Sequence, residues 1–505
     1  MTDIRLRLTP LREFAMMRLM NAITDKPGWN SKVFDEEIVA KWKSEAMSAS
    51  GVTDEARDQE GGAIDNALSE DMVDYCICEL RYKSLAFGET GVVTAYDGDV
   101  VKSDHIVSEE LRQALKSAAA PLEQVGPIHQ DWHPGSDGMV LDLVHPSLFP
   151  VVYGTSRILK DSIVGLHQGV ELCGKGEVLP VPPVPVAPWT RAYHTPDQFS
   201  TKFQWLPCQV EFTGDGGEVK ITSYINNLHP KENQPLYDVI EKIIAKAIVL
   251  WNRTLDPLVV RFAKTPLRIP FEGPEYGNID DIPLADRPAQ GPEENDYHYE
   301  ERLHELVLIS PPVGEYEDPE ETELFDLRNI TESRLAFRQQ SQVEMYDIGY
   351  RQGRHRWLQE IFGCENEESS VQYVGDVVTK QGRLITFPNV FQHRVAPFKL
   401  ADPTKPGHRK LLALFLVDPH IQIISSAHVP CQRRDWWADE LGRSGALPGK
   451  LPLEIVQEVT ASVDDFPISL QDAKKLRLEL MEERKGYDVK LDNKFHEETF
   501  SLCEH

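Results

Sequence analysis

Two residues in the C-terminal part of the chain have the types and spacing of a metal ligand and an anion-binding cation. Residues 382–418 read GRLITFPNVFQHRVAPFKLADPTKPGHRKLLALFLVD. The apolar runs, broken by Pro, Asn and Gly, predict strands at Gly382–Phe387, at Gln392–Phe398, which carries His393, and at Lys410–Val417, which Arg409 opens, with turns between them. A further strand is predicted just upstream, at Val371–Val378. Antiparallel strands connected in this order would place His393 and Arg409 at one mouth of a barrel. A single histidine on a strand is often structural, so the pattern alone leaves both interpretations open.

The chemistry that fits these residue types is that of a non-haem Fe(II) oxygenase. Such enzymes bind iron with two histidines and one carboxylate on one face and leave the remaining positions open. The open positions take 2-oxoglutarate and O₂. An arginine at the barrel end offers a two-pronged donor for the distal carboxylate of 2-oxoglutarate. The pattern therefore predicts His393 as a metal ligand and Arg409 as a cofactor-binding residue, with no catalytic residue beyond the metal ligands.

Six stretches of the chain carry a family resemblance, at residues 19–42, 131–154, 221–230, 243–255, 329–339 and the block from His393 to Arg409. Over these stretches the chain resembles a fungal family catalogued as a domain of unknown function, numbered four-two-four-six and related to the double-stranded β-helix oxygenases. The resemblance implies an α+β fold with a double-stranded β-helix core and a large helical N-terminal region. It also implies Fe(II) and 2-oxoglutarate as cofactors, both conditional on an intact iron site.

The resemblance further implies an upstream His-x-Glu pair that completes the iron site, and two placements compete for it. In the first, His298 and Glu300 are that pair and are iron ligands. In the second, their spacing is coincidental and residues 301–320 match a loop that normally precedes the pair. The ligand-bearing segment would then be missing between Arg328 and Asn329. The second placement accounts better for the sequence of residues 311–328.

These placements lead to two hypotheses of different classes. The first is an Fe(II)/2-oxoglutarate-dependent oxygenase acting on a small molecule or a protein side chain. The second is a catalytically inactive barrel that acts as a binding or scaffold protein. They differ in whether His298 and Glu300 come close enough to His393 to share one metal ion.

Two further polar motifs are candidates for a pocket. Tyr224 and Asn226 in SYINNLHP follow a predicted hairpin and could bind 2-oxoglutarate; the alternative is a turn held by the asparagines. His133 and Asp137 have the spacing of helical metal ligands, but the Pro-Gly-Ser between them excludes a regular helix. A structural loop is the preferred interpretation there, and equally for Asp142 and His145.

Periodicity and composition divide the chain into five predicted regions. The predicted helices cover Val33–Met47, Met72–Phe87, Glu109–Leu122, Pro235–Trp251 and Asp472–Lys485, with another that begins near Thr9 and Pro10. The predicted regions are a helical N-terminal region (1–125), a loop-rich segment with a hairpin and a long helix packing on the barrel (126–270), acidic mobile loops (271–330), the double-stranded β-helix core (331–440) and a C-terminal helical extension (441–505).

Composition excludes several classes of function. The 505 residues include 53 Lys and Arg against 81 Asp and Glu, a net charge of −28, which disfavours nucleic acid and anionic membranes as partners. The seven cysteines are scattered and form no zinc-binding pattern. No apolar leader and no window of bilayer length is present. We therefore expect a protein of the cytoplasm or nucleus that is not secreted.

Overall fold

Most of the predicted helices form, and their ends follow local capping chemistry. In the computed structural model, α4 (Glu70–Thr90) begins where the Ser69 hydroxyl accepts the backbone N–H of Met72, and it ends at Gly91 in the left-handed region. Similarly, α5 (Glu109–Glu123) begins where Ser108 accepts the N–H of Leu111. The helix predicted near Thr9 and Pro10 is α1 (Leu11–Thr24), with Pro10 at its N-cap.

The structure describes residues 8–49, 68–96, 100–127, 130–183, 200–214, 216–259, 268–269, 284–285, 287–306, 313–318, 327, 357–369, 371–389, 391, 393–396, 400, 402–417, 423–443, 452–463 and 466–497. The remaining helices are α2 (Trp29–Lys32), α3 (Glu36–Ala49), α6 (Gln168–Glu171), α7 (Gln234–Val259), α8 (Asp296–Leu306), α9 (Arg434–Arg443), α10 (Leu453–Ala461) and α11 (Leu470–Glu497), with a π-helical turn at Leu358–Phe362. The helices predicted at Val33–Met47, Met72–Phe87, Glu109–Leu122, Pro235–Trp251 and Asp472–Lys485 are therefore confirmed as α3, α4, α5, α7 and α11. No helix in this described part is long and apolar enough to cross a bilayer.

The chain folds into two compact units, each assembled from separate parts of the sequence. The first comprises residues 1–107, 249–418 and 493–505, and the second comprises residues 108–248 and 419–492. The predicted region boundaries at 125, 270, 330 and 440 stay predictions. Part of the predicted acidic loop region (271–330) is described, and α8 forms a helix there at Asp296–Leu306. Much of the predicted core lies outside the described residues.

The first unit packs α1, α2, α3 and α4 around a large apolar core. The core includes Phe14, Met16, Met20, Trp29, Trp42, Met72, Cys76, Leu80, Trp357 and Phe362. An antiparallel sheet of β1 (Val93–Tyr96), β2 (Val100–Ser103) and β9 (Leu384–Thr386) belongs to the same unit, in the order β1-β2-β9. Hydrophobic burial of the helix faces is the main stabilising contribution here.

One predicted strand of the C-terminal block forms, two do not, and the fourth is described only in part. Strand β9 lies inside the predicted Gly382–Phe387 strand and pairs with β2, where Arg383 bonds Asp25 and Asp104. The strand predictions at 371–378 and 410–417 are wrong, and the described part of 392–398 has no strand either. Alternating apolar residues make a strand possible, but a ladder needs a neighbouring backbone to pair with. Leu411 and Phe415 are 72% and 68% exposed.

The second unit combines helices with three two-stranded antiparallel sheets. The pairs are β3 (Val151–Val152) with β6 (Phe203–Gln204), β4 (Arg157–Ile158) with β5 (Glu177–Val178), and β7 (Val210–Phe212) with β8 (Val219–Ile221). The β7–β8 pair confirms the predicted hairpin. Across the described residues the largest sheet has three strands, and no closed barrel forms among them. The double-stranded β-helix core therefore stays a prediction.

A buried ion network crosses the core of the first unit. The fully buried Arg268 donates two hydrogen bonds to Glu79 on α4, at 2.7 and 2.6 Å, and one to Glu13 on α1, at 3.2 Å. Lys83 lies 2.7 Å from Glu79. Burial by itself raises the pKa of Glu79, but Lys83 and Arg268 outweigh it and lower that pKa from 4.5 to about 2.

This pKa predicts a specific loss of stability in acid. A carboxyl whose pKa is lowered by folding stabilises the protein above its unfolded pKa and loses that contribution as the pH falls towards its folded pKa. Between pH 6 and pH 3 we expect the wild type to lose about 2 kcal/mol more than Glu79→Gln. Urea unfolding of both proteins at the two pH values measures the difference. Equal losses would show that folding does not lower the pKa of Glu79.

Candidate functional site

A short hairpin in the second unit sets the positions of two potential metal ligands. Within residues 131–142, the N–H of His133 donates to the carbonyl of Val140, and the N–H of Asp142 donates to the carbonyl of Asp131, both at 2.8 Å. Alternate residues of a strand share a face, so His133 and Asp142 become diagonal neighbours on one side of the hairpin. The side chains accordingly meet, with His133 Nδ1 lying 2.9 Å from Asp142 Oδ2.

The tip of this hairpin explains why the segment is not a helix. Gly135, Asp137 and Gly138 have φ angles of 77°, 51° and 73°. Glycine adopts this left-handed region readily, and aspartate tolerates it better than most residues. The tip therefore reverses the chain, which confirms the loop predicted from Pro-Gly-Ser. It places Asp137 at an exposed turn and aligns Asp142 with His133.

A second local structure positions His145. Its carbonyl accepts the N–H of Leu148 at 3.1 Å and the side-chain amide of Asn227 at 3.0 Å. The neighbouring Asn226 donates its amide hydrogens to the carbonyls of Leu148 and Phe149, both at 3.0 Å. The SYINNLHP motif therefore holds the turn that follows His145, because its buried asparagine amides donate to three backbone carbonyls of that turn.

His133, Asp142 and His145 form one cluster. One ligand atom from each residue lies within 4.8 Å of the others, and all three side chains are partly exposed. The two imidazole rings are 5.2 Å apart between centroids. Among the described residues, this is the group of three that can hold a metal ion. The geometry offers two imidazole nitrogens and a carboxylate on a face that water can reach.

Arg477 compensates the acidic side of this hairpin. Asp131 lies opposite Asp142, and two carboxylates so placed repel each other. The buried guanidinium of Arg477 bonds Asp131 at 2.6 and 3.1 Å and lies 3.7 Å from Asp142. Lys474 lies 3.2 Å from Asp131 as well. The two cations are therefore held mainly by Asp131, and the nearest polar contact of Asp142 is His133.

His145 is held in the form that binds metals. Burial lowers the pKa of His145 below its usual value, and the nearby carboxylate of Asp142 only partly opposes this effect. A neutral imidazole has a lone pair available for a metal, whereas an imidazolium does not. At neutral pH His145 is therefore a competent ligand.

The structure does not bring His298 and Glu300 to a common point. Both lie on α8 and both are exposed. Each residue of an α-helix turns by about 100°, so side chains two positions apart point about 200° apart. The two side chains therefore leave opposite sides of the helix, and they form no ligand group with His393 among the described residues.

His393 and Arg409 lie on exposed backbone that is not part of a sheet. The ring of His393 packs against Phe387, with centroids 4.8 Å apart. Residues 393–396 and 402–417 have no strand pairing. Neither residue therefore lies at the mouth of a barrel among the described residues.

Tyr224 and Asn226 are occupied by structural contacts. The fully buried hydroxyl of Tyr224 donates to the carbonyl of Val429 at 3.0 Å, and burial raises its pKa. Asn226 is 8% exposed, and its amide is used on Leu148 and Phe149. These contacts favour the turn interpretation of the motif, and the binding of 2-oxoglutarate there stays a prediction.

The described residues form helices and small antiparallel sheets, with a His–Asp–His group on the second unit. The model of a family described as "Protein of unknown function (DUF4246)" matches residues 70–326 and 320–440. The model of "Domain of unknown function DUF4246, N-terminal" matches residues 2–45. The chain therefore belongs to the DUF4246 family. No curated protein and no solved structure matches the chain.

Proposed function

We propose that this chain is an oxygenase-like member of its family whose iron site is incomplete, and that it acts by binding rather than by oxidation. The observation that carries the proposal is the position of His298 and Glu300, two residues apart on the exposed helix α8. A metal ion needs its ligand atoms at about 2 Å from one point. Side chains on opposite sides of a helix do not meet that requirement.

The family match supports a missing ligand segment. It is divided into two parts that meet at residues 320–326. A departure from the family's pattern near this point would produce such a division. The segment predicted to be absent lies beside it, between Arg328 and Asn329. On this proposal the block from His393 to Arg409 is the retained second half of an Fe(II)/2-oxoglutarate site.

The partners proposed for such a protein are a small molecule or a protein. A net charge of −28 disfavours nucleic acid and anionic lipid surfaces. We also propose the cytoplasm or nucleus as its location. None of the six described cysteines forms a disulfide, which is the usual state of thiols in a reducing compartment.

An anaerobic titration with Fe(II) and 2-oxoglutarate tests the proposal on the full chain. We expect no visible charge-transfer band that depends on His393, and no succinate after O₂ is admitted. The matched variants are His393→Ala, in the predicted iron site, and His145→Ala, in the cluster of the second unit. The three proteins are compared by difference absorption and by succinate analysis.

A band that is present in the wild type and in His145→Ala, but lost in His393→Ala, would contradict the proposal. It would establish the first hypothesis, an active Fe(II)/2-oxoglutarate oxygenase. A band lost only in His145→Ala would place the iron in the cluster and leave the His393 site incomplete.

A further inference from the structure

We infer that His133, Asp142 and His145 bind one divalent first-row transition-metal ion. This site is separate from the one that the family resemblance predicts at His393, and it goes beyond the proposed function. The inference rests on the residue types, their geometry and the two hydrogen-bonded structures that position them.

The donor set selects a class of ion. Imidazole nitrogen suits Zn(II), Co(II), Ni(II) and Fe(II), whereas Ca(II) and Mg(II) prefer oxygen ligands. Two histidines and one carboxylate, with the other positions open, form a set used by both zinc and non-haem iron proteins. The partial exposure of all three residues leaves room for water or a small ligand on the ion.

The distances require only a local contraction. Ligand atoms around a tetrahedral ion lie roughly 3.3 Å apart, given metal–ligand distances of about 2.0–2.1 Å. His133 Nδ1 and Asp142 Oδ2 are already 2.9 Å apart, and all three ligand atoms lie within 4.8 Å. The ligand atoms therefore need to approach one another by at most roughly 1.5 Å to share one tetrahedral ion.

The ligands are positioned by contacts that do not involve a metal. Backbone hydrogen bonds at 2.8 Å fix His133 relative to Asp142 across the hairpin. The amide of Asn227 holds the carbonyl of His145 at 3.0 Å. Such outer contacts orient the ligands of metal sites and fix their geometry. Ser147 donates its N–H to Nδ1 of His145 at 3.1 Å, a bond that metal binding at this ring breaks or replaces.

The competing explanation is that Asp142 and His133 simply bond each other to hold the loop. That pair needs no third member, so replacing His145 would not affect it. A metal ion uses all three side chains. His145 is therefore the residue that separates the two explanations.

Titration with metal alone tests the inference. The full chain, stripped with a chelator, is titrated with Co²⁺ and with Zn²⁺ by calorimetry at neutral pH, and the visible absorption of Co²⁺ is followed. We expect one ion per chain, bound at least about tenfold more weakly by each of His133→Ala, Asp142→Asn and His145→Ala. The control His167→Ala removes an exposed histidine of the same unit and should bind like the wild type.

The inference is overturned if the wild type binds no ion, or if His145→Ala binds as tightly as the wild type. Thermal unfolding of each variant identifies any that has lost its fold. Asp142→Asn keeps the shape of the side chain and removes its charge, so it tests metal binding even if another variant fails to fold. His393→Ala should retain the binding. A failure of the metal site is therefore seen in the wild type and His145→Ala. A failure of the proposal on the predicted iron site is seen in His393→Ala.

Discussion

Replacing Arg268 by alanine is expected to lower the free energy of unfolding by about 3–5 kcal/mol, which is the usual cost of removing one partner from a buried ion pair. Arg268 is completely buried and bonds carboxylates on two helices, Glu79 and Glu13. Without it, Glu13 and Glu79 remain in the core with fewer donors, and Lys83 alone cannot satisfy both. Burying an unpaired charge is among the largest single destabilising effects in proteins.

Equilibrium unfolding in urea measures this effect, with Arg443→Ala as the matched control. Arg443 pairs with Glu232 at 3.4 Å, and the two side chains are 52% and 56% exposed. Exposed pairs contribute about 0–1 kcal/mol. A loss for Arg268→Ala no larger than for Arg443→Ala would contradict the buried network.

Replacing Asn226 by alanine is expected to lower the free energy of unfolding by about 1–3 kcal/mol, because two buried carbonyls each lose one of two amide donors and a hydrogen bond contributes about 0.5–1.5 kcal/mol. The carbonyls belong to Leu148 and Phe149, beside the turn that positions His145. A cofactor-binding role predicts a different result. Loss of a contact to 2-oxoglutarate would weaken its binding and leave the stability of the ligand-free protein nearly unchanged.

The two roles of Asn226 are separated by measuring unfolding and 2-oxoglutarate affinity on the same variant. Gln471→Ala is the control, because Gln471 is an exposed side-chain amide of the same unit. Surface changes of this kind usually shift stability by about 0.5 kcal/mol or less. Unchanged stability with a loss of 2-oxoglutarate affinity would overturn the structural role.

The helices could be predicted from the sequence more reliably than the sheets. Helix α4 carries its own signals, since Ser69 caps it and its apolar residues repeat with the helical period. The β7–β8 hairpin was equally local. Residues 410–417 have the apolar pattern of a strand, but whether they pair depends on a neighbour distant in sequence. The apolar pattern of residues 410–417 does not show which backbone segment would pair with them.

In the candidate site, too, local contacts could be predicted from the sequence and contacts between distant residues could not. His133 and Asp137 have helical spacing, and the Pro-Gly-Ser between them correctly excludes a helix. The same tight turn implies a hairpin, which pairs His133 with Asp142 instead. That signal is present in the sequence. The approach of His145 depends on Asn227, which lies far along the chain, and no local pattern could indicate it.

Anomalous X-ray scattering at the cobalt edge, from crystals of the full chain equilibrated with Co²⁺, locates the bound metal directly. The predicted result is one cobalt peak, about 2.0–2.1 Å from ligand atoms of His133, Asp142 and His145, and none at His393. A peak shared by His393, His298 and Glu300 would contradict the incomplete iron site. The absence of a peak at the His133–Asp142–His145 cluster would contradict the metal site there.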